Sequence, residues 1–225
     1  MHSSNLQWYR MLSPMKIDFV SDVSCPWCII GLRGLEEALA RTGDLIAAEI
    51  TFQPFELNPQ MGKNGQNIGE HVAEKYGASP EQSAASRAMI RDRAANLGFP
   101  IKMSDTSRIY NTFDAHRLLH WAQIEGKQAA LKHALFAVYF TDQQDPSDHA
   151  VLVTAAAKVG LDPVRAGDIL ASDEYAREVR AAEQLWQSRG ISAVPAIIIN
   201  DRYLISGGQP PEAFEKALRE IAAAT

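Results

Sequence analysis

Two cysteines stand three residues apart in the stretch Cys25-Pro26-Trp27-Cys28, and the sequence holds no others. Thiols at that spacing can close a small disulfide ring, so the pair could cycle between dithiol and disulfide. Lys16 to Val20 reads as a short strand, and Ser21 to Ser24 breaks it. From Cys28 onward, Leu32, Leu35 and Leu39 recur at helical spacing. Cys25 is therefore expected beside the start of a helix. Free N–H groups and a partial positive charge at that place favour the thiolate, which is the nucleophilic form of cysteine. Pro26 suits the first helical turn, where its missing N–H leaves no bond unmade. Two other readings stay open. The pair could be half a zinc site, which His116 and His120 could complete on spacing alone, or it could be two inert core thiols. Two histidines four apart with no carboxylate beside them are more often surface or core residues. The strand-to-helix context favours redox chemistry and no metal.

The elements around this turn can be read from pattern. A second strand is expected over Leu45 to Phe55, with Pro54 and Pro59 punctuating the loop beyond it. Asn67 to Arg189 is helical in pattern, with helices opening near Pro80, Asn111, Lys127, Asp148, Asp162 and Ser172. Trp121, Tyr139, Phe140 and Trp186 in this block read as core aromatics. Ala196-Ile197-Ile198-Ile199 is too apolar for a half-exposed strand and should be central. Tyr203 to Ser206 should pair back on it as a hairpin. A last helix opens at Pro210-Pro211 and buries Phe214, Leu218 and Ile221. Gly31 and Gly34 lie inside the first helix, at a cost of about 1 kcal/mol each against Ala. That predicts close backbone packing on their face. The strand-rich ends are each too small to fold alone, so they should share one sheet. The expected layout is an extension over 1–15, a sheet domain from 16–62 and 176–225, and a helical insertion over 63–175.

Beyond its elements, the chain resembles the DsbA family of thioredoxin-fold proteins, most closely the FrnE-type branch of dithiol–disulfide isomerases. The resemblance rests on Cys-Pro-Trp-Cys after Asp18-Phe19-Val20-Ser21-Asp22, and on Gln53-Pro54-Phe55-Glu56-Leu57-Asn58-Pro59. It extends to Asn111-Thr112-Phe113-Asp114-Ala115-His116-Arg117-Leu118, Gly190-Ile191-Ser192-Ala193-Val194-Pro195 and Ser206-Gly207-Gly208-Gln209-Pro210. It runs from about Lys16 to Leu218. It implies an α/β, thioredoxin-like fold with an all-helical domain inserted. It also implies that Cys25 is the attacking thiol, that Cys28 resolves the mixed disulfide, and that Pro195 is a cis-proline facing the pair. Val194 would offer its backbone to an extended substrate. Pro26, Trp27, Asn111 and His116 would flank the substrate groove. Asp18 matches roughly the buried acid that serves the resolving thiol in thioredoxins, but stands one residue further from Cys25. On a strand, one residue turns a side chain to the opposite face, so Asp22 is the rival acid.

The chain has 225 residues, 22 Lys and Arg against 27 Asp and Glu, and a formal charge of −5. No basic stripe appears, so nucleic acid is not an expected partner. No charge-free apolar run approaches the ~18 residues of a membrane span, so no membrane is expected either. Met1 to Pro14 holds one Arg and no apolar core, which does not read as a secretory signal. It is a short extension, and Met11 or Met15 could be the true start. The expected compartment is the cytoplasm, where paired cysteines are seldom structural. The leading function is thiol–disulfide exchange on peptides or small molecules, by a monomer or homodimer. It needs no cofactor beyond the redox disulfide, with glutathione as a candidate reductant. The rivals are a kappa-type glutathione transferase or 2-hydroxychromene-2-carboxylate isomerase, and a peptide-binding holdase without catalysis. Cys28 speaks against the first rival, whose members typically carry Ser or a single thiol at the place of Cys25.

Overall fold

A computed structural model describes residues 14–43 and 45–224. The chain opens with β1 (Met15–Ser21), α1 (Pro26–Arg41) and β2 (Ala48–Pro54). A block follows with β3 (Gln66–Asn67), α2 (Ile68–Tyr76), α3 (Pro80–Asn96), β4 (Arg108–Ile109), α4 (Phe113–Ile124) and α5 (Gln128–Phe136). It continues through a π-helical turn over Ala137–Thr141, then α6 (His149–Lys158), α7 (Pro163–Leu170) and α8 (Ala176–Ser188). The chain returns to the sheet with β5 (Ala196–Ile199) and β6 (Tyr203–Ser206) and closes with α9 (Pro211–Ala223). Met15 is already part of β1, so the expected extension ends one residue earlier than anticipated, and its first thirteen residues fall outside those described.

The main sheet has the order β2-β1-β5-β6. β1 runs parallel to β2 and antiparallel to β5, and β5 and β6 form an antiparallel hairpin. β5 is buried along its whole length between its two neighbours, as its four apolar residues require. The two faces of β1 serve different cores. Ile17 and Phe19 face α1 and α9, in one cluster with Cys25, Cys28, Ile29, Phe52 and Phe214. Val20 faces the other way, onto Phe55, Trp186 of α8 and Ile198. The inserted helices build their own cluster from α4, α5, α6 and α7, which also takes in Val23 from the turn before Cys25. The site-bearing turn is therefore anchored in the core of the insertion.

Two features of the block differ from the pattern reading. The two-residue strands β3 and β4 pair antiparallel, and are too short to show alternation in a sequence. The helix expected to run from Lys127 to Phe140 passes into π geometry at Ala137. β2 is an edge strand, and its mid-strand polar groups are covered from the insertion. Gln128 of α5 accepts from Phe52 N at 2.9 Å and donates to Phe52 O at 2.9 Å. Such a bridge blunts an edge that could otherwise pair with another chain.

Candidate active site

Cys25 takes the N-cap position of α1 in extended conformation (φ −90°, ψ 113°), and Pro26 follows at the first helical position. Its backbone N–H donates to Asp22 O at 3.3 Å, and its carbonyl accepts from Cys28 N at 3.0 Å. Both cysteines are free thiols. Cys25 is 3% exposed and Cys28 is fully buried beneath it. Burial pushes the Cys28 thiol well above its ordinary range, helped by a hydrogen bond and the charge of Cys25, and opposed by Lys132 and a backbone bond from Asp22.

The segment facing Cys25 comes from the far end of the chain. The Val194–Pro195 bond is cis. Cys25 Sγ lies 3.7 Å from Val194 O, within reach of a weak S–H···O bond. This approach depends on residues with no side chain. A Cβ at Gly31 would stand 3.0 Å from Pro195 Cγ, and one at Gly208 would stand 2.8 Å from Trp27 O. Gly31 and Gly208 thus let α1, the Pro195 segment and the turn after β6 come together. Trp27 is half-buried, and the Arg93 guanidinium of α3 sits 5.3 Å over its ring. The dipeptide between the cysteines has no charge of its own, so α3 brings one to it.

The two acids occupy opposite places. Asp18 shares the β1 face of Val20, away from Cys28, and there accepts from Gln53 Nε2 at 2.7 Å and pairs with Lys16 Nζ at 3.1 Å. Its assignment as an acid serving Cys28 is corrected by this alternation along the strand. Asp22 lies on the site side, buried at the foot of the turn. It accepts from Leu57 N at 2.7 Å and Ser24 N at 3.3 Å, and His116 Nε2 stands 3.6 Å away. Burial raises its pKa, but hydrogen bonds and charge from His116, with the Leu57 N–H and Thr112, hold it below the usual carboxylate range.

His116 is 3% exposed and its Nε2 also lies 3.1 Å from Phe55 O, so it belongs to the floor under the site and not to a groove wall. Asn111, just ahead of the α4 N-cap Thr112, accepts from Phe113 N at 2.9 Å and donates to Glu56 Oε1 at 3.3 Å. Glu56 is in turn paired with Arg180 of α8. The two residues are thus committed to joining α4, α8 and the loop after β2. His120 packs on Tyr175 with ring centroids 5.0 Å apart in a tilted arrangement. Among the described residues, no group of three or more His, Cys, Asp or Glu is arranged to hold a metal ion. A cavity of about 590 Å³ opens beside His71 and Lys75, and none of its lining residues belongs to the cysteine site.

Sequence reasoning missed Lys132. It is fully buried on α5, and its Nζ has no hydrogen-bond partner. The ammonium lies 4.9 Å from the Phe136 ring and 6.0 Å from the Phe52 ring, inside the cluster that holds both cysteines. Its sequence trace is the spacing Gln128, Lys132, Phe136, Tyr139, a second buried stripe beside Leu131 and Leu135. A lysine on such a stripe reads as a surface residue unless both faces of the helix are known to be covered.

A family model described as DSBA-like thioredoxin domain matches residues 16–219, and the chain belongs to that family. The uncharacterized protein YwbO of Bacillus subtilis (strain 168) is 27% identical over 205 residues, covering 91% of this chain and 96% of its own. The crystal structure of a probable DsbA oxidoreductase from Streptomyces coelicolor is similar with a TM-score of 0.86 and 34% identity, over 93% of this chain and 90% of that one. A 2-hydroxychromene-2-carboxylate isomerase shares the fold, with a TM-score of 0.69 and 16% identity over 92% of this chain and 96% of that one.

Proposed function

We propose that this protein is a thiol–disulfide oxidoreductase in which Cys25 attacks and Cys28 resolves. The carrying observation is the placement of Cys25 at the helix start, 3.7 Å from Val194 O, with Cys28 one turn further in and covered. Cys25 occupies the N-cap position of α1, the outer of the two sulfurs and the one beside Val194. The inner thiol has its pKa raised by burial, so it stays protonated until a substrate is attached. An extended peptide or a small disulfide lying along Val194 would present its sulfur to Cys25. The mixed disulfide would then pass to Cys28 and close the ring.

We place this activity in the cytoplasm, with glutathione as a candidate reductant and a reducing or isomerising direction. No described helix is long and apolar enough to cross a membrane. The isomerase-like alternative has the shared fold in its favour and the second cysteine against it. Among the relatives, the 34% identical structure carries an oxidoreductase description, which supports the redox reading.

The test is direct. The reduced protein should reduce insulin disulfides with a thiol as electron donor. A brief iodoacetamide pulse should label Cys25 well ahead of Cys28. Faster labelling of Cys28, or reaction of neither, would remove the role assignment. Tight glutathione binding without any disulfide reduction would favour the isomerase-like alternative.

A further inference from the structure

We infer that Lys132 is the internal base of the resolving step: its amine takes the proton of the Cys28 thiol as that sulfur attacks the mixed disulfide on Cys25. The inference rests on the oxidoreductase reading given above. It starts from an anomaly. An unpaired buried amine is costly, because nothing replaces the water it loses. Lys132 Nζ has no hydrogen-bond partner, and its side chain is completely buried among Phe52, Phe136 and the cysteine cluster. A group that expensive is retained where its charge state matters.

The surroundings suit a proton acceptor. Burial brings the amine down to about 8, while Cys28, Asp22 and Cys25, in that order, pull it back up. Reciprocally, Lys132 is a charge that lowers the raised Cys28 thiol. The titratable groups bearing on the amine are few. The charges of Cys28 and Cys25 of α1, and of Asp22 in the turn before α1, act on it without a direct hydrogen bond. From β2 it meets Phe52 and from its own helix Phe136, neither of which titrates. Among the groups around these, His116 of α4 is Asp22's partner, and Tyr139 is held protonated by burial. His133, the neighbour on α5, is bound to Glu36 at 2.6 Å. Asp22 already accepts from Leu57 N and Ser24 N, which leaves it a poor base.

The step balances. The proton leaves Cys28 Sγ for Lys132 Nζ. The freed electron pair forms the Cys28–Cys25 bond. The bond from Cys25 to the substrate breaks, and its pair departs on the substrate sulfur, which takes a proton from water or from the new ammonium. One substrate disulfide is reduced and the protein dithiol is oxidised. The helical insertion thereby supplies a working group to the sheet domain, beyond any role as groove wall.

The test uses the full chain and glutathione disulfide. Reduced protein is mixed with it, acid-quenched at intervals and weighed. Lys132→Met keeps the length and the apolar stem but cannot carry a proton. Wild type should show little glutathionyl-Cys25, and its resolution should rise with pH and level off near pH 8. In Lys132→Met the adduct should accumulate and its resolution at pH 7 should fall by about a hundredfold. Its rate should keep climbing with pH without a plateau, and the loss in resolution should far exceed any change in Cys25 alkylation. Removing an orphaned buried amine should leave the Tm equal or higher, a result no purely structural role predicts. Lys132→Gln provides the same reading if Lys132→Met does not fold. Unchanged resolution and pH profile in the variant would overturn the proposal alone, as would transfer of the whole loss to Asp22→Asn. Wild type that never forms an adduct or a disulfide would overturn the oxidoreductase reading, and this proposal with it.

Discussion

In Cys28→Ala, a substrate or glutathione adduct on Cys25 should become long-lived, and disulfide reduction under turnover should drop by about 10³-fold or more. The size follows from the geometry. Cys28 follows Cys25 by one helical turn and is fully buried under it, so its attack is intramolecular. Well-oriented intramolecular groups act at effective molarities of ~10⁵ M or higher, whereas an external thiol is present at millimolar levels. Even a poorly aligned pair would outrun the external thiol by several orders of magnitude. Cys25→Ser should give no adduct at all. Non-reducing mass spectrometry after a pulse of disulfide substrate separates the variants. Turnover by Cys28→Ala at the wild-type rate would mean that Cys25 works alone as a monothiol and that the ring-closing step is not used.

The second large effect is steric. A methyl group on Gly208 would stand 2.8 Å from Trp27 O and 3.3 Å from Gly31 N, both backbone atoms that cannot step aside alone. Gly208→Ala should therefore push the turn after β6 away from α1, at a cost of about 1–3 kcal/mol. The same displacement loosens the meeting of α1 with the Pro195 segment. kcat/KM should fall by about 10- to 100-fold, the usual consequence of a misplacement near 1 Å. Gly34→Ala is the matched control. Its Cβ would also meet backbone at 2.8 Å, but at Gln209 O and beside Phe214, one turn away from Pro195. The gain of about 1 kcal/mol in helix propensity offsets part of its strain. Gly34→Ala should lose stability and keep activity near wild type. Denaturant midpoints and initial rates on the two variants decide it. Equal activity loss in both would mean that the Pro195 approach has no special part in the reaction.

Most of this arrangement could be read before the structure, because it is carried by local chemistry. The Cys25–Cys28 spacing, the strand before it and the leucine stripe after it lie within one short stretch. The apolar run of β5 declares a central strand by composition alone, and the two glycines of α1 announce close packing. The remainder depends on which surfaces meet. Asp18 and Asp22 have the same parity along the sequence and could be told apart only by where β1 ends: it stops at Ser21, so Asp22 falls in the turn under the site. His116 reads as a groove residue because its helix lies near the site, yet its ring points inward to Phe55 and Asp22. Lys132 escapes notice for the converse reason. A lysine on a helix is taken as solvated, and only the docking of α5 against both β2 and the inserted helices removes its water. The Arg93–Trp27 contact joins residues from two parts of the chain whose own patterns say nothing of each other.

The central claim is that Cys25 and Cys28 interconvert as a dithiol and a single intramolecular disulfide. It is tested most directly by equilibrating the protein in graded glutathione buffers, acid-quenching, and mapping the sulfurs by mass. The account predicts one Cys25–Cys28 disulfide appearing in a two-electron transition with a midpoint between about −150 and −260 mV. Two thiols that remain free across the whole series, or glutathione left on Cys25 with Cys28 never engaged, would contradict it.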